Sequence, residues 1–487
     1  MKKFNIILMM FCFFAIASCD SFLNMEPTNS GNAETSIKTV KDAEVFINGL
    51  MRKMSSSSYY GRNFIMYGDA KGGDLAITSQ GRGSDGLYTF NHSATSGSYS
   101  GFWSQMFHCI LQINSLLKNI EQIQAEGTSE DFSECKGEAL TARALIYYDL
   151  VRLYGKPYNM DKTAYGVPNI TVPLIASDQP TRATVADNYA QILKDLVDAA
   201  AIMPKSKKDG YLNYYANLAL QARVNLSMDN YGAALAAAET IIKDGKYKLY
   251  TNENWIDSWK NEYGSESIFE LGIYPDEADL GTGSLGFYLM RYGKKKGAMG
   301  WFLASDYFLN RLGEDKDDVR WDVMDYDETV ENTGVKRYGS CNKYSFGDKE
   351  GSITAVNIKI IRLSEIYLIA AEAALGLPSP NKQKAADYLN AIRKRSPNLA
   401  PATQATVTVD MILNEKSKEF FAEGLRFFDL IRLNKKIEYN DELIQPSVII
   451  SHREKIIDRT FFKCILPISK EEMDANPAIS SQQNPGY

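Results

Sequence analysis

A run of small residues at helical spacing constrains the fold of this chain more than any other feature. Residues 213–245 read NYYANLALQARVNLSMDNYGAALAAAETIIKDG. Ala216, Ala219 and Ala222 recur every three positions, which predicts one face of a helix. A second periodic run follows a short turn and ends before Gly245, where a helix C-cap is expected. The stretch therefore predicts two helices whose backbones approach closely through small side chains.

The turn of this hairpin resembles that of a tetratricopeptide repeat, with Asp229, Asn230 and Tyr231 at the turn and Ala234 three residues later. An ordinary helical hairpin is the alternative, so the interpretation depends on whether similar pairs recur. The sequence predicts further pairs at 103–123 with 133–154, at 184–203 with 214–228, and at 357–375 with 381–395. It also predicts a helical segment at 411–434 and short strands at 267–273. The recurrence favours a mostly α fold with about four tetratricopeptide-like hairpins, long irregular loops and a few short strands.

The N-terminus indicates export. Lys2 and Lys3 precede an apolar run over residues 4–16, which is too short to span a bilayer permanently and is typical of a signal peptide. Residues 16–19, Ile-Ala-Ser-Cys, look like a bacterial lipobox in which Cys19 carries the lipid. An ordinary secretory signal with an accidental cysteine is the alternative. We expect a signal peptide at 1–18 and a lipidated tether at 19–36.

The remainder, 37–487, is expected to form a single domain. Its N-terminal part, 37–245, carries helical repeats, 246–356 is a loop-rich excursion, and 357–487 is a C-terminal helical part. Cys109 and Cys135 lie on consecutive predicted helices, so they could pair or remain free buried thiols.

Aromatic residues are unusually frequent in polar, glycine-rich stretches. The chain has 29 Tyr, 22 Phe and 5 Trp, many of them within 55–101 and 247–301. Aromatic rings on loops offer a large contact area at low entropic cost, as expected for gripping sugars or peptides. The predicted ligand-binding residues are Tyr88, Asn91, His92, Tyr99, Tyr288, Arg291, Tyr292 and Trp301. For each of them, local loop packing is the alternative.

Several function classes receive no support. A net charge of −6 without a long Lys/Arg cluster argues against nucleic acid. The three histidines lack metal-ligand spacing, and a Gly-x-Gly-x-x-Gly at 81–86 has no helix signal after it, so we expect no metal and no cofactor. Asp69 and Asp74 could form a glycosidase pair, but they could equally cap turns, and no hydrolase motif surrounds them. We expect no catalytic residues.

Motifs along nearly the whole chain resemble the SusD/RagB-like outer-membrane nutrient-binding lipoproteins. They lie at 19–23 with 27–29, at Trp103, Ile110 and Asn114, and at 143–155, 362–368, 371–373, 389–393, 418–432, 466–468 and 483–487. The resemblance implies a non-catalytic, mostly helical lipoprotein, anchored to the outer membrane and exposed at the cell surface. It implies binding of oligosaccharides or polysaccharides and their delivery to a SusC-like TonB-dependent β-barrel transporter. The same role for peptides and a scaffolding repeat lipoprotein are the alternatives. The motifs themselves are expected to be structural.

Overall fold

The computed structural model describes residues 37–80, 85–96, 100–275, 283–290, 301–326, 337–444 and 448–487. Its helices are α1 (Val40–Met54), α2 (Asn63–Lys71), α3 (Gly86–Thr89), α4 (Ser100–Ala125), α5 (Ser133–Tyr154), α6 (Tyr158–Asp161), α7 (Val185–Ile202), α8 (Tyr214–Ser227), α9 (Tyr231–Asp244), α10 (Asp257–Lys260), α11 (Leu285–Leu289), α12 (Asp306–Leu312), α13 (Leu363–Gly376), α14 (Lys382–Arg393), α15 (Val409–Glu419), α16 (Arg426–Arg432) and α17 (Lys470–Ala475). Short 3₁₀ turns lie at Val319–Val323, Lys349–Gly351, Asp441–Leu443, Phe462–Cys464 and Pro477–Gln482.

The strands are short and pair in twos. They are β1 (Leu75–Ile77), β2 (Ser267–Leu271), β3 (Phe302–Ala304), β4 (Met324–Tyr326), β5 (Tyr338–Cys341), β6 (Ile358–Arg362), β7 (Ile437–Glu438) and β8 (Ile456–Ile457). Within the described residues, β1 pairs with β3, β2 with β6, β4 with β5 and β7 with β8, each antiparallel. The short strands predicted at 267–273 are confirmed by β2.

The long helices pack one on the next. α4 and α5 form a pair, α5 packs on α7, α8 contacts both α7 and α9, and α9 packs on α13, which pairs with α14. Ala216, Ala219 and Ala222 of α8 are buried, as are Ala234 and Ala238 of α9. The small side chains allow these helix backbones to lie close together, and the predicted mostly helical fold class is confirmed. The assignment of the pairs to tetratricopeptide repeats is compatible with this packing and stays a prediction.

Local signals set the ends of these helices as expected. Thr184 accepts a hydrogen bond from the backbone N–H of Asp187 at 3.1 Å, and the Asp187 carboxylate accepts one from the Thr184 N–H, forming a capping box on α7. Asn213 caps α8 by accepting from the N–H groups of Tyr215 and Ala216. Gly245 ends α9 with a φ of 62°, the left-handed conformation that favours glycine.

The stretch 55–101 contains more regular structure than its glycine- and serine-rich sequence predicts. It includes α2, β1 and α3. Every residue from Phe64 to Lys71 is buried. A helix buried all round has no polar face, so its sequence carries no 3.6-residue periodicity from which to predict it.

Two predicted C-terminal helices are interrupted. In the first, residues Ile358–Arg362 form β6 rather than the opening turns of the helix. The second divides into α15 and α16 at a turn where Ala422 and Gly424 have φ of 65° and 79°. A Cβ on Gly68 of α2 would lie 2.0 Å from the Gly424 carbonyl oxygen, so backbone meets backbone at this contact.

Charged residues of the recurring motifs lie inside the protein and pair with one another. Arg143 of α5 donates to Asp195 of α7 at 2.7 and 2.8 Å. Arg362 of β6 donates to Glu419 of α15 at 2.9 Å, and both side chains are nearly fully buried. Breaking a buried pair leaves an uncompensated charge, so these residues hold the elements together.

Residues 483–487 are held to the rest of the fold by hydrogen bonds. Asn484 is 3% exposed, and its Nδ2 donates to the carbonyls of Tyr154 at 2.9 Å and Leu466 at 2.6 Å. Its Oδ1 accepts from Nη1 of Arg182 at 3.0 Å. The Tyr487 hydroxyl lies 2.9 Å from His92 Nε2 and donates to the Ile465 carbonyl.

Cys109, Cys135, Cys341 and Cys464 are free and buried. Of the two alternatives for Cys109 and Cys135, the structure has the free thiols. None of the helices in the described ranges has both the length and the apolar character required to traverse a bilayer.

Candidate functional site

Two of the predicted binding residues, Tyr288 and Trp301, come together. Tyr288 lies on α11, Trp301 directly precedes β3, and α11 packs against β3. Their ring centroids are 5.0 Å apart at an interplanar angle of 79°, an edge-to-face contact. Tyr288 is 6% exposed, whereas the Trp301 ring is partly exposed. Tyr288 therefore packs against the Trp301 indole from the protein interior, and the indole is the ring that solvent can reach.

Arg62 completes this arrangement, and its sequence context gives no sign of that role. Its guanidinium carbon lies 4.5 Å from the centroid of the Tyr288 ring, a cation–π contact. Its Nη1 donates to the Gly283 carbonyl at 2.9 Å, and its Nε donates to Asn63 Oδ1 at 2.9 Å. We call Arg62, Tyr288 and Trp301 the Trp301 surface. An apolar ring beside a fixed cationic donor can hold a flat, hydroxylated ligand.

A second aromatic group lies on the neighbouring hairpin. β5 packs against β3, and Tyr338 of β5 stacks on Tyr326 of β4 with centroids 4.4 Å apart. Trp321 lies 4.7 Å from Tyr338 and donates from Nε1 to the Asp315 carbonyl at 3.1 Å. All three rings are partly exposed. Sequence reasoning missed them, because only the β4–β5 pairing brings residues 321–326 and 338 together.

Tyr88 does not belong to an exposed platform, contrary to the prediction. It is 0% exposed, and its hydroxyl donates to Asp441 Oδ1 at 2.8 Å. Arg453 lies over the ring at 4.7 Å and donates to the Tyr88 carbonyl. Burial raises the pKa of the Tyr88 phenol well above its usual range. Partners more than 350 residues away in the chain explain why an aromatic in a glycine-rich stretch is core here.

His92 is also interior, and this part of the prediction is wrong for the same reason. It is 3% exposed, its ring stacks on Tyr487, and burial lowers its pKa far below the usual 6.5, helped by the charges of Lys71 and Lys463. Asn91, by contrast, is exposed. Its role in binding stays a prediction, with no contact to the Trp301 surface to support it.

Four further sequence predictions lie outside the described residues. They are Tyr99, Arg291, Tyr292 and the lipidation site Cys19.

Each of the two aspartates considered for hydrolysis or turn capping bonds to a residue far along the chain. Asp69 lies within α2 and accepts from the Gly424 N–H at 2.9 Å, and burial raises its pKa well above the usual value. Asp74 accepts from the Ser417 hydroxyl at 2.7 Å and pairs with Arg311. Both are buried by interactions with other elements. Over the described ranges, His, Cys, Asp and Glu side chains form no group of three suited to a metal ion.

Comparison with solved structures decides the family. The chain superimposes on the crystal structure of a SusD superfamily protein from Bacteroides thetaiotaomicron with a TM-score of 0.84 and 33% sequence identity, covering 92% of this chain and 100% of that one. The chain belongs to the SusD family. The model of the SusD family matches residues 310–487, and one described as "starch-binding associating with outer membrane" matches residues 21–226. The predicted resemblance is confirmed.

Other SusD-like proteins match over most of their length. The SusD-like protein P38 of Formosa agariphila is 25% identical over 90% of this chain and 93% of its own. The surface glycan-binding protein A from Bacteroides fluxus is 22% identical, with a TM-score of 0.70 and coverage of 93% of this chain and 100% of that one, a likeness that shows the shared fold. The SusD family is thus associated with carbohydrate binding and the outer membrane, through the description of the matching model.

Proposed function

We propose that this chain is a non-catalytic, cell-surface glycan-binding protein that delivers oligosaccharides or polysaccharides to a SusC-like TonB-dependent transporter. Membership of the SusD family supports the glycan-binding class, as do a matching family model described by starch binding and a structural relative described as a surface glycan-binding protein. The observation that carries the proposal is the Trp301 surface, where a partly exposed indole is braced edge-on by Tyr288 beside the Arg62 guanidinium.

In this proposal the Trp301 ring packs against the C–H face of a pyranose, because an indole offers a large rigid apolar area. Arg62 donates hydrogen bonds to sugar hydroxyls. Its Nη1 and Nε hold Gly283 and Asn63, so the guanidinium is positioned before ligand arrives. Tyr99, Arg291 and Tyr292 are proposed as further contacts on the strength of their sequence positions. Tyr88 and His92 are assigned to the interior.

Anchoring is proposed through lipid on Cys19, with residues 19–36 as a tether and the domain at the outer cell surface. The proposal includes the transporter as partner because the family resemblance implies it. Peptides remain the alternative cargo, since an aromatic ring beside an arginine also suits peptide side chains and carbonyls.

Binding of a glycan panel tests the proposal. The protein beginning after Cys19 is screened against polysaccharides and oligosaccharides by affinity gel and calorimetry, and the products are analysed for cleavage. A hit without cleavage is expected. Trp301→Ala should then weaken binding about tenfold or more, because it removes the ring that packs on the sugar; a tenfold loss is roughly 1.4 kcal/mol of binding free energy. Tyr288→Ala is a poorer probe because that side chain is buried and its loss would also reduce stability.

Trp321→Ala is the matched control, because Trp321 is also a partly exposed tryptophan packed on a tyrosine. An equal loss of affinity in both variants would show that the effect is not specific to the Trp301 surface, and a loss confined to Trp321→Ala would move the binding site to the β4–β5 hairpin. No loss in Trp301→Ala would remove the Trp301 surface from the proposal. Cleavage of the glycan would refute the non-catalytic function, and binding of peptides only would establish the alternative cargo.

A further inference from the structure

A concave site lies away from the Trp301 surface. It is a pocket of about 300 Å³ formed where the turn between α2 and β1 meets α12, α16 and β7. The charged residues that line it are Asp74, Arg311, Arg426, Lys436 and Glu438. We call it the arginine pocket. Its volume is at the lower end of the range for small-molecule sites, roughly 300–1,000 Å³.

One buried carboxylate is shared by two guanidinium groups at the base of this pocket. Asp74, with a side chain 2% exposed, pairs through Oδ1 with Nη2 of Arg311. Nε of Arg426 lies 3.6 Å from the same oxygen, which is beyond hydrogen-bonding distance. The other oxygen, Oδ2, accepts from the Ser417 hydroxyl at 2.7 Å. A single negative charge therefore faces two positive ones.

The two guanidinium groups retain unused donors. Arg311 donates from Nε to Ser417 at 3.0 Å, and Arg426 donates from Nη1 to the Leu413 carbonyl at 3.0 Å. Nε of Arg426 is buried without a hydrogen-bond partner among the described residues. Over the same residues, Nη1 of Arg311 and Nη2 of Arg426 form no hydrogen bond. Both arginines line the pocket, with side chains 18% and 11% exposed.

The rim adds one more positive charge and a set of neutral and acidic acceptors. Lys436 is exposed at the edge, whereas Glu438 accepts from the Tyr307 hydroxyl at 3.0 Å and lies 3.7 Å from Lys455. Asn310, on the exposed side of α12, completes the rim. Three cationic side chains against two carboxylates leave the lining with a net positive charge.

Glycines form one wall of the pocket. A Cβ on Gly72 would lie 2.6 Å from Cγ of Arg426. Gly73 has a φ of 78°, and a Cβ there would lie 2.8 Å from the Glu438 carbonyl oxygen. Neither position accommodates a side chain without movement, so the wall is built by close backbone approach to Arg426 and β7.

We propose that the arginine pocket binds a sugar acid, namely one hexuronate residue, through its carboxylate. A carboxylate has two acceptor oxygens, and the free amino groups of Arg311 and Arg426 can each donate a charge-assisted hydrogen bond to one of them. The ring hydroxyls donate to the exposed Glu438 carboxylate and bond the Tyr307 hydroxyl. A sulfate dianion has no hydroxyl to donate to Glu438, so it makes fewer hydrogen bonds in this pocket than a hexuronate does.

The pocket is separate from the surface that carries the proposed function. In the β1–β3 ladder, Ile77 pairs with Phe302 at the Trp301 end, and Leu75 pairs with Ala304 at the Asp74 end. The three-residue ladder spans about 10 Å at roughly 3.3 Å per residue. The two sites therefore lie at opposite ends of one ladder, and each can be tested without the other.

Titration of the protein beginning after Cys19 with D-glucuronate tests the inference, by saturation-transfer NMR and calorimetry at low salt. Glucuronate is expected to bind with millimolar affinity, glucose to show no binding, and sulfate to bind more weakly than glucuronate. Asn310→Trp, which places a large ring at the rim, should weaken glucuronate binding at least about tenfold. Asn310→Ala, the matched control at the same exposed position, should change it less than about threefold.

Lys436→Glu reverses an exposed rim charge and provides a second, fold-neutral variant. It should also weaken glucuronate about tenfold, with a smaller difference from wild type at high salt. Trp301→Ala should leave glucuronate binding unchanged, whatever its effect on a neutral glycan. Absence of binding up to about 50 mM, equal binding of glucose, or wild-type affinity in both Asn310→Trp and Lys436→Glu would overturn the inference. Tighter binding of sulfate would overturn the sugar-acid class.

Discussion

Replacement of Asn484 by alanine should destabilise the whole domain although this residue lies only three positions before Tyr487. Its side chain makes two hydrogen bonds to backbone carbonyls, of Tyr154 and Leu466, and accepts one from Arg182. A neutral hydrogen bond contributes roughly 0.5–1.5 kcal/mol, and one to a charged group roughly 1.5–3 kcal/mol. The alanine also leaves buried acceptors unsatisfied, so we expect a loss of roughly 3–6 kcal/mol in the free energy of unfolding.

This loss is a large fraction of the stability of typical native proteins, which is roughly 5–15 kcal/mol. Urea unfolding followed by tryptophan fluorescence measures it, with calorimetry as an independent probe. Two other asparagines provide graded controls. Asn476→Ala loses one bond, from Nδ2 to the Pro180 carbonyl, and should cost about 1 kcal/mol. Asn91→Ala alters an exposed side chain and should cost less than about 0.5 kcal/mol.

Asn484→Asp separates the donor role from the acceptor role. The carboxylate keeps an acceptor for Arg182 but faces two carbonyl oxygens with no donor, so it should remain destabilised. A loss below about 1 kcal/mol in Asn484→Ala, or one no larger than in Asn476→Ala, would refute the reasoning.

Three further predictions concern the interior. Gly68→Ala would place a Cβ 2.0 Å from the Gly424 carbonyl oxygen and should lower the free energy of unfolding by roughly 1–3 kcal/mol or more. Gly49→Ala, where a Cβ would meet nothing within 4 Å, should be neutral or stabilising by roughly 0.5–1 kcal/mol. Equal melting temperatures of the two variants would contradict this difference. Burial raises the pKa of Glu138 from 4.5 to about 7. Between these two pH values the folded chain keeps the Glu138 proton whereas the unfolded chain loses it, so the free energy of unfolding falls as the pH rises from 4.5 to about 7. Glu138→Gln should reduce the change in the free energy of unfolding with pH, measured by urea unfolding. An unchanged pH dependence in this variant would count against the raised pKa of Glu138. Burial also raises the pKa of Cys109 and Cys135 to about 12, so a thiol reagent should react with neither in the native protein, and rapid labelling would show the burial to be wrong.

The helical scaffold could be predicted from the sequence because its signals are local. Alanines at helical spacing, the Thr184 capping box and Gly245 act within a few residues of one another, and each does what its pattern indicates. Helix α2 could not be predicted in this way. It is buried on all sides, so the information that makes it a helix lies in the elements around it.

The candidate site shows the same division. Composition pointed to Tyr288 and Trp301, which the structure brings into contact, and equally to Tyr88, which lies in an equally glycine-rich stretch but is buried. What separates them is Asp441 and Arg453, which reach Tyr88 from the far end of the chain. Arg62 was missed because a single arginine before an unpredicted helix carries no pattern. Its role depends on Gly283 and Tyr288, more than 200 residues away.

The contact between His92 and Tyr487 joins residues 395 positions apart. Closing so long a stretch of chain is slow, because the entropy of the intervening residues is lost before the contact repays it. His92 therefore gains the ring that packs on it only when residue 487 is in place. Loss of the Tyr487 ring would leave His92 without that packing partner, so a substitution late in the chain would disturb the structure of its first hundred residues.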